Sequence, residues 1–312
     1  MASAPEFRIL ETGDVFLTAP DCRLSCEFCS HGAEKRLGLG RSPAPPDPAR
    51  VLAGLERVLD RSRSGPVRLA GWDILEFDGL FKLLDACRRR GRPVELVTPG
   101  LRLAESGFAR RLAAYHPTVV VSCLARDPAI YARMTGLPDA QRLVDRAIAN
   151  LRRLKLRFSV NFVVTRTNCA ELLPVAGYLL EECGLGGFMA AFYSPDEGHS
   201  VLGAAAGELL VSFRRLNAEL KRFAARYRTR GKRLDLCRIP PCKVSPGVRR
   251  SGCVVFRRKD VADPVFREWR HPACAACSWD ADCFHVSARY HERFPRETFP
   301  AASVDKTRLH YT

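Results

Sequence analysis

Apolar positions in the first two hundred residues alternate between short continuous runs and helical stripes. Short apolar runs predict strands over residues 14–18, 67–71, 94–98, 118–123, 157–165 and 187–193. Between them, apolar residues recur every three to four positions and predict helices over 49–60, 75–90, 103–115, 140–154, 170–183 and 203–228. Repeated strand-then-helix units indicate a parallel sheet with helices packed outside it, in either a barrel or a doubly wound open sheet.

The alternation is expected to end after residue 230, where the composition shifts to Cys, Pro, Arg and short apolar patches. The chain has 312 residues, of which 46% are hydrophobic, so it can bury a substantial core. We therefore predict an α/β domain over residues 1–230 and a small cysteine-rich domain over 231–312.

The net charge of +16 favours anionic partners. Its arginine clusters contain no interleaved aromatic residues, so they are a weak signal for nucleic-acid binding and also fit solvated helix faces. The N-terminal residues do not resemble a secretory signal, and no apolar run approaches the length of a membrane span. The expected location is the cytoplasm, with no membrane partner.

The chain contains 13 cysteines, which in a reducing compartment indicate metal chemistry rather than disulfides. Cys22-Arg-Leu-Ser-Cys26-Glu-Phe-Cys29 follows the first predicted strand. Three thiolates can hold three corners of an iron–sulfur cube and leave the fourth iron open. A zinc site completed by His31 is the alternative. The isolated cysteines are interpreted as buried small residues: Cys87, Cys123, Cys169 and Cys183.

This cysteine spacing, with Phe28 just before the last cysteine, resembles the radical S-adenosylmethionine (radical SAM) superfamily. The resemblance covers roughly residues 10–200 and implies a partial (β/α)6 barrel with the cysteine loop at its C-terminal mouth. It also implies a 4Fe-4S cluster whose open iron binds SAM, and reductive cleavage of SAM to a 5′-deoxyadenosyl radical that abstracts hydrogen from a substrate. A reducing partner such as flavodoxin or ferredoxin would supply the electron.

Gly71-Trp72-Asp73-Ile74 stands where the family usually carries Gly-Gly-Glu-Pro. Gly71 and Asp73 fit that pattern, whereas Trp72 and Ile74 depart from it. The resemblance implies that Asp73 accepts a hydrogen bond from the SAM ammonium; its alternative role is to cap the helix that follows. Polar residues at later strand ends are either contacts to SAM or satisfied polar groups of the barrel: Ser122, Asn161 and Arg166.

A second cysteine group, Cys274-Ala-Ala-Cys277 followed by Cys283, resembles the SPASM and twitch extensions that carry auxiliary clusters. Where SPASM continues with a further cysteine, this chain has Ser287. The implied ligands of one auxiliary 4Fe-4S cluster are Cys242, Cys274, Cys277 and Cys283, with Cys253 and Cys237 in reserve. A zinc ribbon that uses Cys237/Cys242 and Cys274/Cys277 is the alternative. His285 is interpreted as packing, a ligand or a proton donor.

These features predict a radical SAM enzyme that acts on a peptide, a protein or a small molecule, with the auxiliary cluster assisting. The first alternative is a radical SAM enzyme that modifies a nucleotide or RNA. The second is a non-catalytic, zinc-stabilised protein that binds nucleic acid.

Overall fold

A computed structural model of the chain describes residues 7–11, 13–17, 22–29, 32, 35–36, 46–61, 65–71, 73–195, 203–257 and 271–297. The chain forms two compact units. The first comprises Met1–Cys123 and Tyr131–Val160, and the second comprises Leu124–Ile130 and Asn161–Thr312. The two predicted cysteine groups belong to different units.

The first unit is built on parallel strands. Strand β1 (Phe7–Ile9) pairs antiparallel with β2 (Val15–Leu17), and parallel pairing then joins β2 to β3 (Val67–Gly71), β4 (Val94–Thr98) and β5 (Thr118–Ser122). The helices are α1 (Pro48–Arg61), α2 (Leu80–Arg89), α3 (Ser106–Ala113), α4 (Pro128–Thr135, in this unit from Tyr131) and α5 (Ala140–Arg153). Short 3-10 turns cover Ile74–Glu76 and Leu101–Ala104. Fully buried aliphatic residues form the core between strands and helices, among them Leu69, Leu96, Val119, Val121 and Ile148.

The second unit is also built on parallel strands. Strand β6 (Phe158–Val164, in this unit from Asn161) pairs with β7 (Gly187–Phe192), which pairs with β8 (Arg233–Cys237), and β8 pairs with β9 (Val254–Phe256). The helices are α6 (Leu172–Ala176), α7 (Gly203–Glu208), α8 (Phe213–Tyr227), α9 (Pro246–Arg249) and α10 (Ala288–Arg293). A π-helical turn covers Gly177–Glu182, and 3-10 turns cover Cys169–Glu171, Pro241–Lys243, Pro272–Ala276 and Asp280–Asp282.

The predicted α/β class is confirmed, and each predicted strand corresponds to an observed one. The helix predicted over 203–228 is wrong: it is two helices, because the Ser212 hydroxyl caps α8 by accepting from the Arg215 N–H. The expectation that the alternation ends after residue 230 is also wrong, since β8 and β9 follow. Strand β8 escaped detection because the charged Arg233 and Asp235 interrupt its short apolar pattern. A domain boundary at residue 231 stays a prediction.

Isolated cysteines behave as small core residues. All four that fall singly within helix or strand patterns are buried: Cys87, Cys123, Cys169 and Cys183. Within the described ranges, no helix combines the length and apolar character that a membrane crossing requires.

Tyr290 anchors the cysteine-rich segment to the rest of the second unit. Its ring lies 4.6 Å from Phe213 and 5.8 Å from Phe192, centroid to centroid. Its hydroxyl donates to the Glu297 carboxylate at 2.7 Å and accepts from the Phe213 N–H at 2.8 Å. Because the side chain is only 1% exposed, these partners replace water entirely.

We expect Tyr290→Phe to lower the free energy of unfolding by about 1–3 kcal/mol, because it leaves buried polar groups without a partner. Urea unfolding followed by circular dichroism measures this loss. Tyr115→Phe is the control, since the Tyr115 hydroxyl donates to the more exposed Asp85 carboxylate. An equal loss in both variants would contradict the anchoring role.

Candidate functional site

The cysteine loop of residues 22–29 is held by backbone hydrogen bonds from outside itself. The Ser25 N–H donates to the Thr135 carbonyl and the Glu27 N–H to the Met134 carbonyl, both at 2.8 Å. Both carbonyls lie at the C-terminal end of α4. Arg36 reinforces this contact, because its guanidinium donates to the Ser25 carbonyl and, at 3.2 Å, to the Met134 carbonyl. The loop therefore takes its shape from a helix end more than one hundred residues away in sequence.

Two glycines allow this loop to pack closely. A Cβ on Gly32 would lie 2.2 Å from the Cys26 carbonyl oxygen. A Cβ on Gly136 would lie 2.0 Å from the Ser25 hydroxyl, and the backbone φ of +72° at Gly136 also favours glycine. Residues 32 and 136 thus approach the loop so closely that a Cβ at either position would collide with it.

The loop brings the thiols of Cys22, Cys26 and Cys29 close enough to influence one another. Burial, followed by the nearby Asp73 carboxylate, raises the pKa of Cys22 to about 12. Burial, followed by the neighbouring Cys29 and Cys22, raises the pKa of Cys26 well above its usual value. Such thiols are neutral at physiological pH without a metal, and a bound metal is what would hold them as thiolates.

Asp73 follows β3 and lies almost completely buried beside this loop. Its Oδ1 accepts from the Leu75 N–H at 3.1 Å and from the Thr98 hydroxyl at 2.7 Å. Its Oδ2 is buried and has no hydrogen-bond partner among the described residues. Burial raises the pKa of this carboxyl to about 6. Asp73 caps the 3-10 turn, and it also keeps one oxygen available for a donor that the chain itself does not supply.

Position 71, the last residue of β3, requires glycine. Gly71 has φ +128°, and a Cβ there would lie 2.3 Å from the Leu17 carbonyl oxygen. Trp72 lies outside the described residues. Three thiols, an unsatisfied carboxylate oxygen and a backbone kept free of side chain form a set that would fit a 4Fe-4S cluster with the amino group of SAM beside it.

The other residues predicted to contact SAM have different surroundings. Phe28 lies half-buried in the turn before Cys29. Ser122 ends β5, and its carbonyl accepts from the Tyr131 hydroxyl. In the second unit, the Asn161 Oδ1 is buried without a partner among the described residues, whereas Arg166 forms a 3.2 Å ion pair with Glu208. Asn161 therefore retains hydrogen-bonding capacity, and Arg166 would have to exchange its partner. These SAM contacts stay predictions.

The second unit brings four cysteines to one small cleft. Cys242 enters it from the 3-10 turn after β8, and Cys274, Cys277 and Cys283 enter it from consecutive turns. Each turn is closed locally, since the Cys277 N–H donates to the Cys274 carbonyl and the Cys283 N–H to the Asp280 carbonyl. Burial, opposed by Lys243 and assisted by the neighbouring Cys277 and Cys274, raises the pKa of Cys242 to about 11.

Cys237 and Cys253 lie outside this group in the part of the chain that the structure describes. The Cys253 thiol donates to the Ser251 hydroxyl at 3.3 Å, next to β9. Cys237 ends β8, opposite Ala191 of β7. The predicted set of Cys242, Cys274, Cys277 and Cys283 converges, and the reserve cysteines do not join it.

Sequence reasoning missed the partners that position the site. Arg36 and Gly32 lie close to the cysteine motif in sequence, but no sequence pattern marks them as partners of the cysteine loop. Gly136 lies far from that motif in sequence. The contact of Thr98 with Asp73 depends on the pairing of β3 with β4. These contacts are between residues distant in sequence, so a local pattern does not show them.

Several arginines of the basic clusters pair with acidic residues on helix surfaces. Arg88, Arg89 and Arg90 form ion pairs at 2.8, 3.1 and 2.8 Å with Asp85, Glu56 and Asp60 respectively. Arg226 pairs with Glu181 at 2.6 Å. Such exposed pairs contribute little stability, but they do lower the charge that these clusters present to a nucleic acid.

We expect Gly136→Ala to loosen the cysteine loop, because the added methyl group collides with Ser25. Amide hydrogen exchange at Ser25 and Glu27, followed by mass spectrometry, should become at least severalfold faster. Gly184→Ala is the matched control, since Gly184 has a similar φ of +74° but open space around its Cα. Unchanged exchange in Gly136→Ala would show that the close approach is not needed.

Comparisons with known proteins place this geometry in a known fold. The structure of anSMEcpe with bound AdoMet and the Cp18Cys peptide matches 89% of this chain and 92% of its own, at 16% identity and a TM-score of 0.57. Streptococcus suis SuiB bound to precursor peptide SuiA matches 68% of this chain at 18% identity and a TM-score of 0.51. This chain spans 47% of the length of that SuiB chain.

No protein-family model matches the sequence, and no curated protein shows significant similarity to it. At these identities the structural likeness establishes the fold alone. Both SuiB and anSMEcpe are radical SAM enzymes, whose cores are partial barrels. The resemblance seen in the cysteine motif is therefore confirmed at the level of fold: the chain has the fold of radical SAM enzymes.

Proposed function

We propose that this protein is a radical SAM enzyme that abstracts a hydrogen atom from a peptide or protein substrate. The observation that carries the proposal is the pairing of three clustered thiols with the unsatisfied, buried Oδ2 of Asp73. A structural zinc site is closed by four protein ligands, whereas a SAM-binding cluster needs an open position and a hydrogen-bond acceptor beside it.

In this proposal Cys22, Cys26 and Cys29 hold three irons of a 4Fe-4S cluster. Bound SAM and this cluster together supply a 5′-deoxyadenosyl radical. The Asp73 carboxylate accepts from the SAM ammonium and so orients the amino-acid end of SAM. Thr98 fixes the rotamer of Asp73 through its hydrogen bond to Oδ1. Gly71 keeps the adjacent backbone free of a side chain.

The four-cysteine cleft of the second unit would hold an auxiliary 4Fe-4S cluster. Four thiolates complete the protein ligation of such a cluster, so its role would be to transfer electrons rather than to bind substrate. Trp279, which is 1% exposed, packs along this cleft. An electron from flavodoxin or ferredoxin would start each turnover at the first cluster.

The peptide substrate is favoured because the SuiB and anSMEcpe structures contain bound peptides. A small-molecule substrate remains within the same proposal. Modification of a nucleotide or RNA is the second candidate, supported by the net charge of +16 but weakened by the acidic partners of the helix-surface arginines. A zinc-stabilised protein without catalysis does not account for the arrangement around Asp73.

We expect anaerobic reconstitution to give about eight irons per chain if both clusters form. Cys26→Ala should reduce this to about four and abolish 5′-deoxyadenosine formation, because the SAM-binding cluster is lost. Cys277→Ala should also retain about four irons, but it should still form 5′-deoxyadenosine. Iron analysis and chromatography of the nucleoside measure both effects.

Cys253→Ala is the matched control, since that buried cysteine lies outside both groups. It should keep the iron content and SAM cleavage of the original protein. Retention of SAM cleavage by Cys26→Ala would refute the first site. A protein that binds only zinc after anaerobic reconstitution would refute the enzyme hypothesis.

We expect Asp73→Asn to weaken SAM binding about tenfold or more, because it replaces a charge-assisted hydrogen bond worth about 1.5–3 kcal/mol. Equilibrium dialysis of the cluster-loaded protein measures the dissociation constant. Asp78→Asn, at an exposed position, should leave that constant unchanged. Equal affinities for the two variants would remove Asp73 from the SAM site.

A further inference from the structure

The four-cysteine cleft contains a histidine and an aspartate in addition to the thiols. The ligand atoms of Cys274, Asp280 and His285 all lie within 4.8 Å of one another. All three residues line the cleft. The cleft therefore holds more metal-ligating groups than the four that a 4Fe-4S cluster requires, and the extra ones lie beside one particular cysteine.

The backbone of His285 is held in an unusual conformation that turns it toward the cleft. Its φ of +52° is uncommon for a residue with a side chain. In this conformation its N–H donates to the Cys283 sulfur at 3.2 Å. The imidazole is only 10% exposed, and its Nε2 lies 2.9 Å from the Asp280 Oδ1. The backbone hydrogen bond and the contact at Nε2 therefore hold His285 in one orientation.

This hydrogen bond determines what the imidazole can do. When the Nε2–H donates to a carboxylate, the neutral ring keeps its lone pair on the other nitrogen. Histidine ligands of metals usually have such a carboxylate partner, which fixes the tautomer and makes the ring a better ligand. Imidazole also serves as a ligand to iron–sulfur clusters. Asp280 thus prepares His285 for coordination.

We propose that His285 is an alternative ligand for the iron held by Cys274, with Asp280 orienting its ring. The proposal rests on the auxiliary cluster of the proposed function. The exchange breaks one iron–thiolate bond and forms one iron–nitrogen bond; the released thiolate takes a proton from solvent, and no electron is transferred. Because neutral imidazole replaces an anionic thiolate, the cluster reaches a form with a higher reduction potential.

The test compares two cysteines of the same cleft after anaerobic reconstitution. Cys274→Ala should retain about eight irons, because His285 replaces the missing thiolate, whereas Cys277→Ala should retain about four. The double variant Cys274→Ala/His285→Ala should also retain about four. Pulsed electron paramagnetic resonance of the reduced second cluster should show a nitrogen coupling in Cys274→Ala that the original protein lacks.

A loss of iron in Cys274→Ala equal to that in Cys277→Ala would overturn the inference, as would a full cluster in the double variant. If Cys274→Ala does not fold, Cys274→Ser takes its place: a nitrogen coupling there supports His285, and its absence refutes it. Failure of the auxiliary cluster itself is distinguishable, because the unsubstituted chain would then bind only about four irons.

Discussion

The need to bring three thiols near one another within eight residues is the constraint on which the cysteine loop depends. A loop this short cannot satisfy its own backbone groups and also hold three cysteines together. The end of α4 provides the missing hydrogen-bond acceptors, and Arg36 ties the two segments together. Glycine at position 32 is required because it contacts the backbone of Cys26, and glycine at position 136 leaves room for the Ser25 side chain. The sulfur geometry is thus a tertiary property rather than a local one.

The second cysteine group takes its shape from hydrogen bonds within its own segment. Its turns are 3-10 turns, each closed by a hydrogen bond within the segment, so the loop shape is local. Tyr290 attaches this segment to the rest of its unit. Its ring packs against Phe213 and Phe192, and its hydroxyl donates to Glu297. A segment with little regular structure thereby acquires a fixed position beside the strands of its unit.

Sequence alone predicted the strands and the convergence of the cysteine groups because both leave local signals. Buried parallel strands are continuous apolar runs, and metal ligands recur at short spacings. It did not predict β8, where Arg233 and Asp235 hide the pattern, nor the division of the long helix at Ser212. It favoured Cys242, Cys274, Cys277 and Cys283 as a ligand set and kept Cys253 and Cys237 in reserve, and a ligand role for any of them stays a prediction. Cys253 is excluded by the packing of β9, which depends on contacts distant in sequence.

The unpartnered oxygen of Asp73 has a consequence for ligand selectivity. A buried acceptor that water does not reach discriminates mainly by penalty: a ligand without a donor at that point leaves the carboxylate desolvated and unbonded. A nucleoside that lacks the amino-acid portion of SAM offers no such donor. In the proposed function, this oxygen would therefore favour a ligand that carries the amino-acid portion of SAM over a nucleoside that lacks it.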